Sequence, residues 1–145
     1  MNCAPDATLD YREYLARVGR SHWWVLGMRR ITWALLGPTE GRLLDIGCGP
    51  GWFTLHHPPG LWVVGVDVEL RFTSARPVVQ GDAGRLPFRD GSFAVVTALD
   101  VLEQERVDAG ATLAEARRVL AIGGRLLVRV PAIPGLYGPH DRFWG

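Results

Sequence analysis

The chain has no lysine, only two cysteines, no block of basic residues and no long apolar run. All sixteen positive charges are arginines and the net charge is +1, so the sequence has no concentrated basic stripe of the kind that duplex-DNA binders show. We attribute the exclusive use of arginine to genomic or thermal bias and not to function. We therefore expect no nucleic-acid partner.

The scarcity of cysteine excludes a disulfide framework, because Cys3 and Cys48 are the only two and Cys48 lies in a glycine-rich stretch. No apolar run approaches the ~20 residues that cross a bilayer, and the acidic first residues do not form a signal peptide. No group of side chains has metal-ligand spacing. These absences predict a cytoplasmic protein with no membrane partner and no metal.

The chain does contain short apolar segments that alternate with helical ones. Five segments are predicted to be buried strands, at 43–46, 61–66, 77–80, 93–99 and 125–130. Helices are predicted at 7–19, at 21–36 and after a capping-box pattern, Thr112-x-x-Glu115, with Gly123-Gly124 closing the last of them. The order predicts an α/β protein with a doubly wound parallel sheet of about five strands, N-terminal helices and three α/β/α layers.

We divide the chain into an N-terminal helical segment at 1–38, a ligand-binding core at 39–130 and a C-terminal tail at 131–145. In the N-terminal segment, Trp23 and Trp24 have two interpretations. They pack onto the sheet, or they form a lid over a bound ligand, which flat aromatic side chains can cover.

The first predicted strand ends at three glycines, Gly47, Gly49 and Gly51, which allow a sharp turn close to a ligand. Each of the first four strands has an aspartate at its carboxyl end: Asp45, Asp67, Asp82 and Asp100. In an open α/β sheet, ligands bind at these ends. We expect the four carboxylates to meet at one edge of the sheet and to form a site.

Asp67 lies twenty residues beyond Gly47, the spacing at which a carboxylate reaches the two hydroxyls of a ribose. A dinucleotide loop would have its third glycine where Trp52 stands, and Asp45 would repel a pyrophosphate. S-adenosylmethionine has a ribose and two positive groups and no phosphate. The residues therefore favour this cofactor over a nicotinamide dinucleotide, and an oxidoreductase stays open as an alternative.

Taken together, the motifs resemble those of class I S-adenosylmethionine-dependent methyltransferases of the small methyltransferase-domain type. The matching stretches lie, in family order, at 43–51, 63–67, 80–83, 86–93, 99–103 and 117–128. The resemblance implies a Rossmann-like fold and methyl transfer to an oxygen or nitrogen of a small-molecule acceptor. A catalytically silent module that binds the cofactor or a partner is the alternative.

The resemblance also implies roles for matched positions. The methionine portion of the cofactor would contact Asp45 and the backbone of Gly47, Cys48 and Gly49. The adenosine portion would contact Asp67 through its ribose, and Val68, Asp82 and Ala83 through its adenine. Leu99 would lie near the sulfonium. His140 is the candidate general base, with a surface histidine in the tail as the other interpretation.

Members of the family close their sheet with two further strands, and we expect this chain to lack them. The fifth predicted strand would then be an apolar edge, which natural proteins avoid leaving bare. We expect the tail or a second copy of the chain, in a homodimer, to cover it.

Overall fold

One parallel sheet organises the part of the chain that the structure, a computed structural model, describes, namely residues 21–54, 56–71, 73 and 77–132. Its elements are α1 (Trp23–Leu36), β1 (Gly41–Ile46), β2 (Leu61–Asp67), β3 (Val78–Gln80), β4 (Phe93–Leu99), α2 (Ala109–Val119) and β5 (Leu120–Arg129). The strand order is β3-β2-β1-β4-β5, and every neighbouring pair is parallel. The predicted α/β fold is confirmed. The helix predicted at 7–19 lies outside the described residues.

The two helices of the described residues cover opposite faces of the sheet, because successive side chains of a strand point to opposite sides. On one face, Leu44 and Ile46 of β1 pack in a cluster that includes Ala116 and Val119 of α2. On the other face, Leu43 packs in a second cluster that includes Leu36 of α1. The predicted three layers follow from these two cores, each buried leucine or isoleucine contributing roughly 1.5–3 kcal/mol.

The order in which successive strands are added to the sheet reverses at β1. After β1 the strands extend to one side as β2 and β3, and β4 then returns to pair with the other side of β1. In open α/β sheets, ligands bind where the strand order reverses, at the carboxyl ends. The glycine loop after β1 lies at this point.

Helix α2 begins earlier than the sequence predicts. Its N-cap is Asp108, whose Oδ1 accepts a hydrogen bond from Ala111 N at 2.9 Å, while Thr112 is buried inside the helix. The capping box at Thr112 is therefore wrong. Gly123-Gly124 does not close the helix either, since β5 starts directly after it at Leu120, and the pairing with β4 shifts register between Phe93 and Val95.

Arg125 of β5 fixes the end of α1. Its guanidinium donates to Leu36 O at 2.7 Å, to Pro38 O at 3.3 Å and to Thr39 Oγ1 at 3.0 Å. A carbonyl at the end of a helix has no partner within the helix, and a cation there also complements the helix dipole. The last described strand thus satisfies the end of the first described helix.

Two ion pairs that share Arg118 hold the connection between β3 and β4, in which residues 81–92 form no helix. Arg118 of α2 binds Glu115 and Asp90 and donates to Phe88 O at 2.8 Å, and Glu115 accepts from Leu86 N at 2.7 Å. The hydrogen bond from Arg118 is the main cause that lowers the pKa of Glu115 to about 2. Side-chain contacts to α2 replace a crossover helix here.

We predict that the ion pair between Glu115 and Arg118 makes the fold acid-sensitive. A carboxyl group whose pKa is lowered in the folded state stabilises the fold above its unfolded pKa, and this contribution is lost as pH falls toward the folded pKa. For Glu115 the interval runs from its ordinary value of 4.5 down to about 2. The free energy of unfolding in urea, measured across this interval, should fall less steeply for Glu115→Gln than for the wild type.

Glu105→Gln is the control, because Glu105 is an exposed glutamate on the loop before α2. This variant should follow the wild-type pH curve. Parallel curves for Glu115→Gln and the wild type would contradict the assignment.

Candidate functional site

Four aspartates lie at the carboxyl edge of the sheet, as the sequence predicts. Asp45 belongs to β1 and Asp67 ends β2, while Asp82 lies two residues after the end of β3 and Asp100 directly follows β4. Asp45 is buried, Asp67 is half-buried, and Asp82 and Asp100 are exposed. Because the four strands are parallel neighbours, the four residues share one edge of the sheet, and the deepest position belongs to the central strand.

Asp45 is a buried carboxyl group with a defined partner. It is 3% exposed, and its Oδ1 accepts a hydrogen bond from Thr97 Oγ1 at 2.7 Å, across the β1–β4 register. Burial raises its pKa to about 7, the hydrogen bond from Thr97 and the guanidinium of Arg129 oppose the rise, and the carboxylate of Asp67 adds to it. Such a group favours a positively charged ligand beside it.

The turn after β1 requires glycine at Gly47. Its φ angle is 66°, and a Cβ atom built there would lie 2.4 Å from Cγ2 of Val101. Gly49 and Gly51 also have positive φ angles, 49° and 82°. The glycine loop, residues 47–51, therefore packs directly against Val101, which lies two residues after the end of β4.

The backbone N–H groups of the glycine loop all donate within the protein. Gly47 N and Cys48 N donate to Val66 O at 2.8 and 3.1 Å, and Gly51 N donates to Cys48 O at 2.9 Å. Gly49 N donates to Asp67 Oδ2 at 2.8 Å, and Pro50 has no N–H. Residues 52–54 form turns and do not begin a helix. A pyrophosphate needs free N–H groups at a helix N-terminus, so this loop does not suit a dinucleotide.

The carboxylate of Asp67 is oriented by two backbone groups. Its Oδ2 accepts from Gly49 N, and its Oδ1 accepts from Glu69 N at 3.0 Å. A carboxylate offers about four acceptor positions, so each oxygen keeps a second one for a ligand hydroxyl. Val68, the next residue, is 66% exposed and offers an apolar surface beside it.

The other residues that are predicted to contact the cofactor or the acceptor differ in their solvent exposure. Asp82 is exposed, and its Oδ1 accepts from Gly84 N at 2.8 Å, which fixes the turn containing Ala83. Ala83 and Leu99 are half-buried and pack against the two cores. His140, the candidate base, lies outside the described residues.

Cys48 faces the sheet. A Cβ atom built at Gly65 of β2 would lie 2.6 Å from its sulfur, and burial raises the pKa of its thiol. A buried thiol with a raised pKa is a poor nucleophile. The side chain of Cys48 is thus a packing group, and its backbone is the part that faces the loop.

Sequence reasoning missed three residues of the site: Thr97, Val101 and Arg129. Thr97 is a polar side chain within an otherwise apolar strand, which is a signal that could have been used. Val101 and Arg129 have no such signal, because their roles depend on where β4 and β5 place them.

Trp23 and Trp24 do not pack onto the sheet. They are 73% and 54% exposed, and their rings meet edge to face with centroids 5.7 Å apart. The interpretation of both residues as core side chains is wrong. The aromatic that does reach the core is Trp33, which stacks on Phe53 at 4.5 Å.

The described residues contain no metal-binding cluster, and they line a cavity outside the site. No three or more His, Cys, Asp or Glu side chains gather there as metal ligands would, and no helix there has the length and apolarity to cross a membrane. A cavity of about 540 Å³ lies on the sheet away from the aspartates, with Arg42, Trp62 and Phe93 among its lining residues. It shares no residue with the site above.

Comparisons with known sequences agree with this geometry. Residues 44–128 match the family model described as a methyltransferase domain. A demethylmenaquinone methyltransferase from Mycobacterium sp. (strain KMS) is 38% identical over 126 residues, which cover 82% of this chain and 53% of the relative. The chain thus spans about half the length of the curated relatives it matches.

Comparisons with solved structures give the same fold. A candidate S-adenosyl-L-methionine-dependent methyltransferase from Methanococcus maripaludis superposes with a TM-score of 0.68 at 15% identity, covering 86% of this chain and 66% of that one. The YcgJ protein from Bacillus subtilis superposes with a TM-score of 0.60 at 29% identity, covering 74% of this chain and 50% of that one.

We predict that the close packing of Val101 against Gly47 makes a side chain at position 47 destabilising. Gly47→Ala should lower the free energy of unfolding by roughly 1–3 kcal/mol, because the added methyl collides with Val101. Val101→Ala leaves its Cβ 3.4 Å from that methyl, an ordinary contact. The double variant should therefore be more stable than the sum of the single changes predicts.

Gly60→Ala is the control, because Gly60 has a φ angle of 85° and no atom within 4 Å of a built Cβ. It measures backbone strain without a collision. Additive effects of Gly47→Ala and Val101→Ala in denaturant titrations would contradict the proposed contact.

Proposed function

Because the chain belongs to the methyltransferase-domain family, whose cofactor is S-adenosylmethionine, we propose that it transfers a methyl group from this cofactor to an oxygen or nitrogen of a small-molecule acceptor. The observation that carries the proposal is the glycine loop, whose N–H groups are all used internally while two carboxylates flank it. Such a site accepts a cation with a diol and has no place for a phosphate.

The residues present suit this cofactor at each of its parts. Asp45, buried beside the loop, would hold the α-ammonium, with the backbone of 47–49 along the methionine chain. Asp67 would accept from the ribose hydroxyls with its two remaining acceptor positions. Val68 and the Asp82–Ala83 turn would hold the adenine, and Leu99 would lie by the sulfonium.

The bound cofactor supplies an activated methyl group, so the chain's own task is alignment and exclusion of water, which contribute several kcal/mol to catalysis. We assign the lid role to the N-terminal segment, residues 1–38, since Trp23 and Trp24 are exposed. Residues 39–130 are the cofactor-binding core, and the tail, residues 131–145, provides His140. A hydroxyl acceptor would need this base, whereas an amine needs only to lose a proton.

The names of the relatives support one acceptor to assay first. Several curated relatives are named demethylmenaquinone methyltransferases, so a demethylated quinone is assayed beside the oxygen and nitrogen acceptors, and its product is analysed for a methyl group on a ring carbon. We place the reaction in the cytoplasm, because a free, buried thiol at Cys48 is compatible with a reducing compartment.

The binding step is tested by calorimetric titration of the full chain with S-adenosylmethionine, S-adenosylhomocysteine and NAD. We expect the first two to bind and NAD not to bind. Asp67→Asn should weaken binding at least about tenfold, because a charged hydrogen bond is lost. Glu105→Gln, an exposed change outside the site, should bind as the wild type does. Binding of NAD in place of S-adenosylmethionine would favour an oxidoreductase.

The transfer step is tested separately, by release of S-adenosylhomocysteine in the presence of an acceptor panel. Turnover with a quinone, phenol or amine supports the enzyme. Binding without turnover on any acceptor would favour the catalytically silent module.

We also propose that the outer edge of β5 is covered in solution. No described strand pairs with it, and Leu126, Val128 and Val130 are exposed. We predict that the outward-facing amides of β5 are protected in hydrogen exchange. Protection at monomer mass in analytical ultracentrifugation indicates the tail, and protection at dimer mass indicates a second copy. A monomer with unprotected β5 amides would contradict the proposal.

A further inference from the structure

Arg129, the last residue of β5, binds the turn that follows β4 through one edge of its guanidinium. Its Nε donates to Asp100 Oδ1 at 2.9 Å, and its Nη2 pairs with Asp100 Oδ2. The backbone repeats the link, because Asp100 N donates to Arg129 O at 2.9 Å. We infer that Arg129 is a positioning residue for the cofactor site, which it shapes by fixing this turn against the glycine loop. The inference rests on the proposed cofactor binding.

The turn needs such a clamp because of its backbone conformation. Asp100 has a φ angle of 56°, the one positive value among the described residues other than glycine. The left-handed conformation costs an L-residue roughly 1–2 kcal/mol, somewhat less for aspartate. A bidentate bond between arginine and carboxylate is charge-assisted and fixes orientation as well as distance. Arg129 thus compensates a conformation that the chain would otherwise leave.

This conformation sends the chain back toward β1. Gln104 Nε2 donates to Asp100 O at 2.9 Å, and Gln104 N donates to Val101 O at 3.2 Å, which closes the turn. Val101, 4% exposed, then occupies the space that a side chain at Gly47 would fill. The path from Arg129 through Asp100 and Val101 ends at the glycine loop.

The side chain of Arg129 makes one further hydrogen bond and one further electrostatic interaction. Its Nη1 donates to Thr32 Oγ1 of α1 at 3.3 Å, so the same side chain ties the proposed lid helix to the site. Its charge also lowers the pKa of Asp45, whereas the carboxylate of Asp67 raises it. Asp45 and Asp67 in turn raise the pKa of the Cys48 thiol, after burial, which is the main cause.

Arg125 provides a matched control. It lies four residues earlier on the same strand and also binds backbone and side chain around α1, at the helix end remote from the site. Arg125→Met should lower the melting temperature and leave binding of S-adenosylhomocysteine unchanged. This variant separates loss of stability from loss of positioning.

Arg129→Met should weaken binding of S-adenosylhomocysteine about tenfold or more at a temperature where the chain stays folded. Asp100→Gly in the Arg129→Met background should recover most of this loss, since glycine adopts a positive φ angle without a clamp. Arg129→Lys keeps the charge without the bidentate geometry and should lie between the wild type and Arg129→Met.

A pH profile provides the readout that a purely structural residue would not change. The wild-type affinity should rise with pH through about 7, as Asp45 ionises. In Arg129→Met the rise should move to higher pH, because the cation that favours the carboxylate is gone, whereas in Arg129→Lys and Arg125→Met it should stay in place.

The results distinguish two failures. If the wild type does not bind S-adenosylhomocysteine, the proposed cofactor is wrong. If the wild type binds and Arg129→Met binds equally well with the same pH profile, Arg129 is not a positioning residue. Failure of Asp100→Gly to recover binding would overturn the path through the turn.

Discussion

A carboxylate buried in the central strand constrains the rest of this structure. Burial of an unpaired charge costs several kcal/mol, so a buried carboxyl group needs hydrogen bonds and a nearby cation. Two strands on one side of β1 supply both: Thr97 on β4, which adjoins β1, gives the hydrogen bond, and Arg129 on β5, the next strand out, gives the charge. The order of the sheet therefore also determines the electrostatics of the site, because it places Thr97 against Asp45 and brings the charge of Arg129 close enough to lower the pKa of Asp45.

The backbone N–H groups of the glycine loop also need hydrogen-bond partners, and they find them within the protein. These N–H groups are satisfied by β2 and by the loop itself, so the loop is rigid and offers carboxylates instead of amide donors. This distinguishes the site from a phosphate-binding loop on a similar sheet. The fold places a loop at the switch point, and the residues there decide the ligand.

Strands β2 and β4 could be predicted closely from the sequence because they are continuous apolar runs rich in β-branched residues, and the observed bounds of these two strands differ from the prediction by at most one residue. The start of α2 could not be predicted from the sequence, because Asp108 and Thr112 are both residue types that cap helices. In the structure Asp108 is the cap, and Glu115 binds Leu86 N instead of completing a capping box at Thr112. The predicted β5 begins five residues too late, at Arg125 instead of Leu120, because Gly123 and Gly124 suggested the end of a helix. The shared position of the four aspartates at the carboxyl edge of the sheet could be predicted, because each lies at or just beyond the end of a predicted strand. Arg129 was missed because its partner in the site, Asp100, is 29 residues away.

The contacts of β5 with α1 affect the order in which the chain acquires its structure. Arg125 and Arg129 bind groups of α1 that lie 89 and 97 residues earlier in the sequence. Contacts of such long separation form late, because loop closure must precede them. During synthesis on a ribosome, the first described helix would remain without these anchors until nearly the whole described chain has emerged. Helix α1 and the proposed cofactor site would thus be anchored to each other only at this late stage.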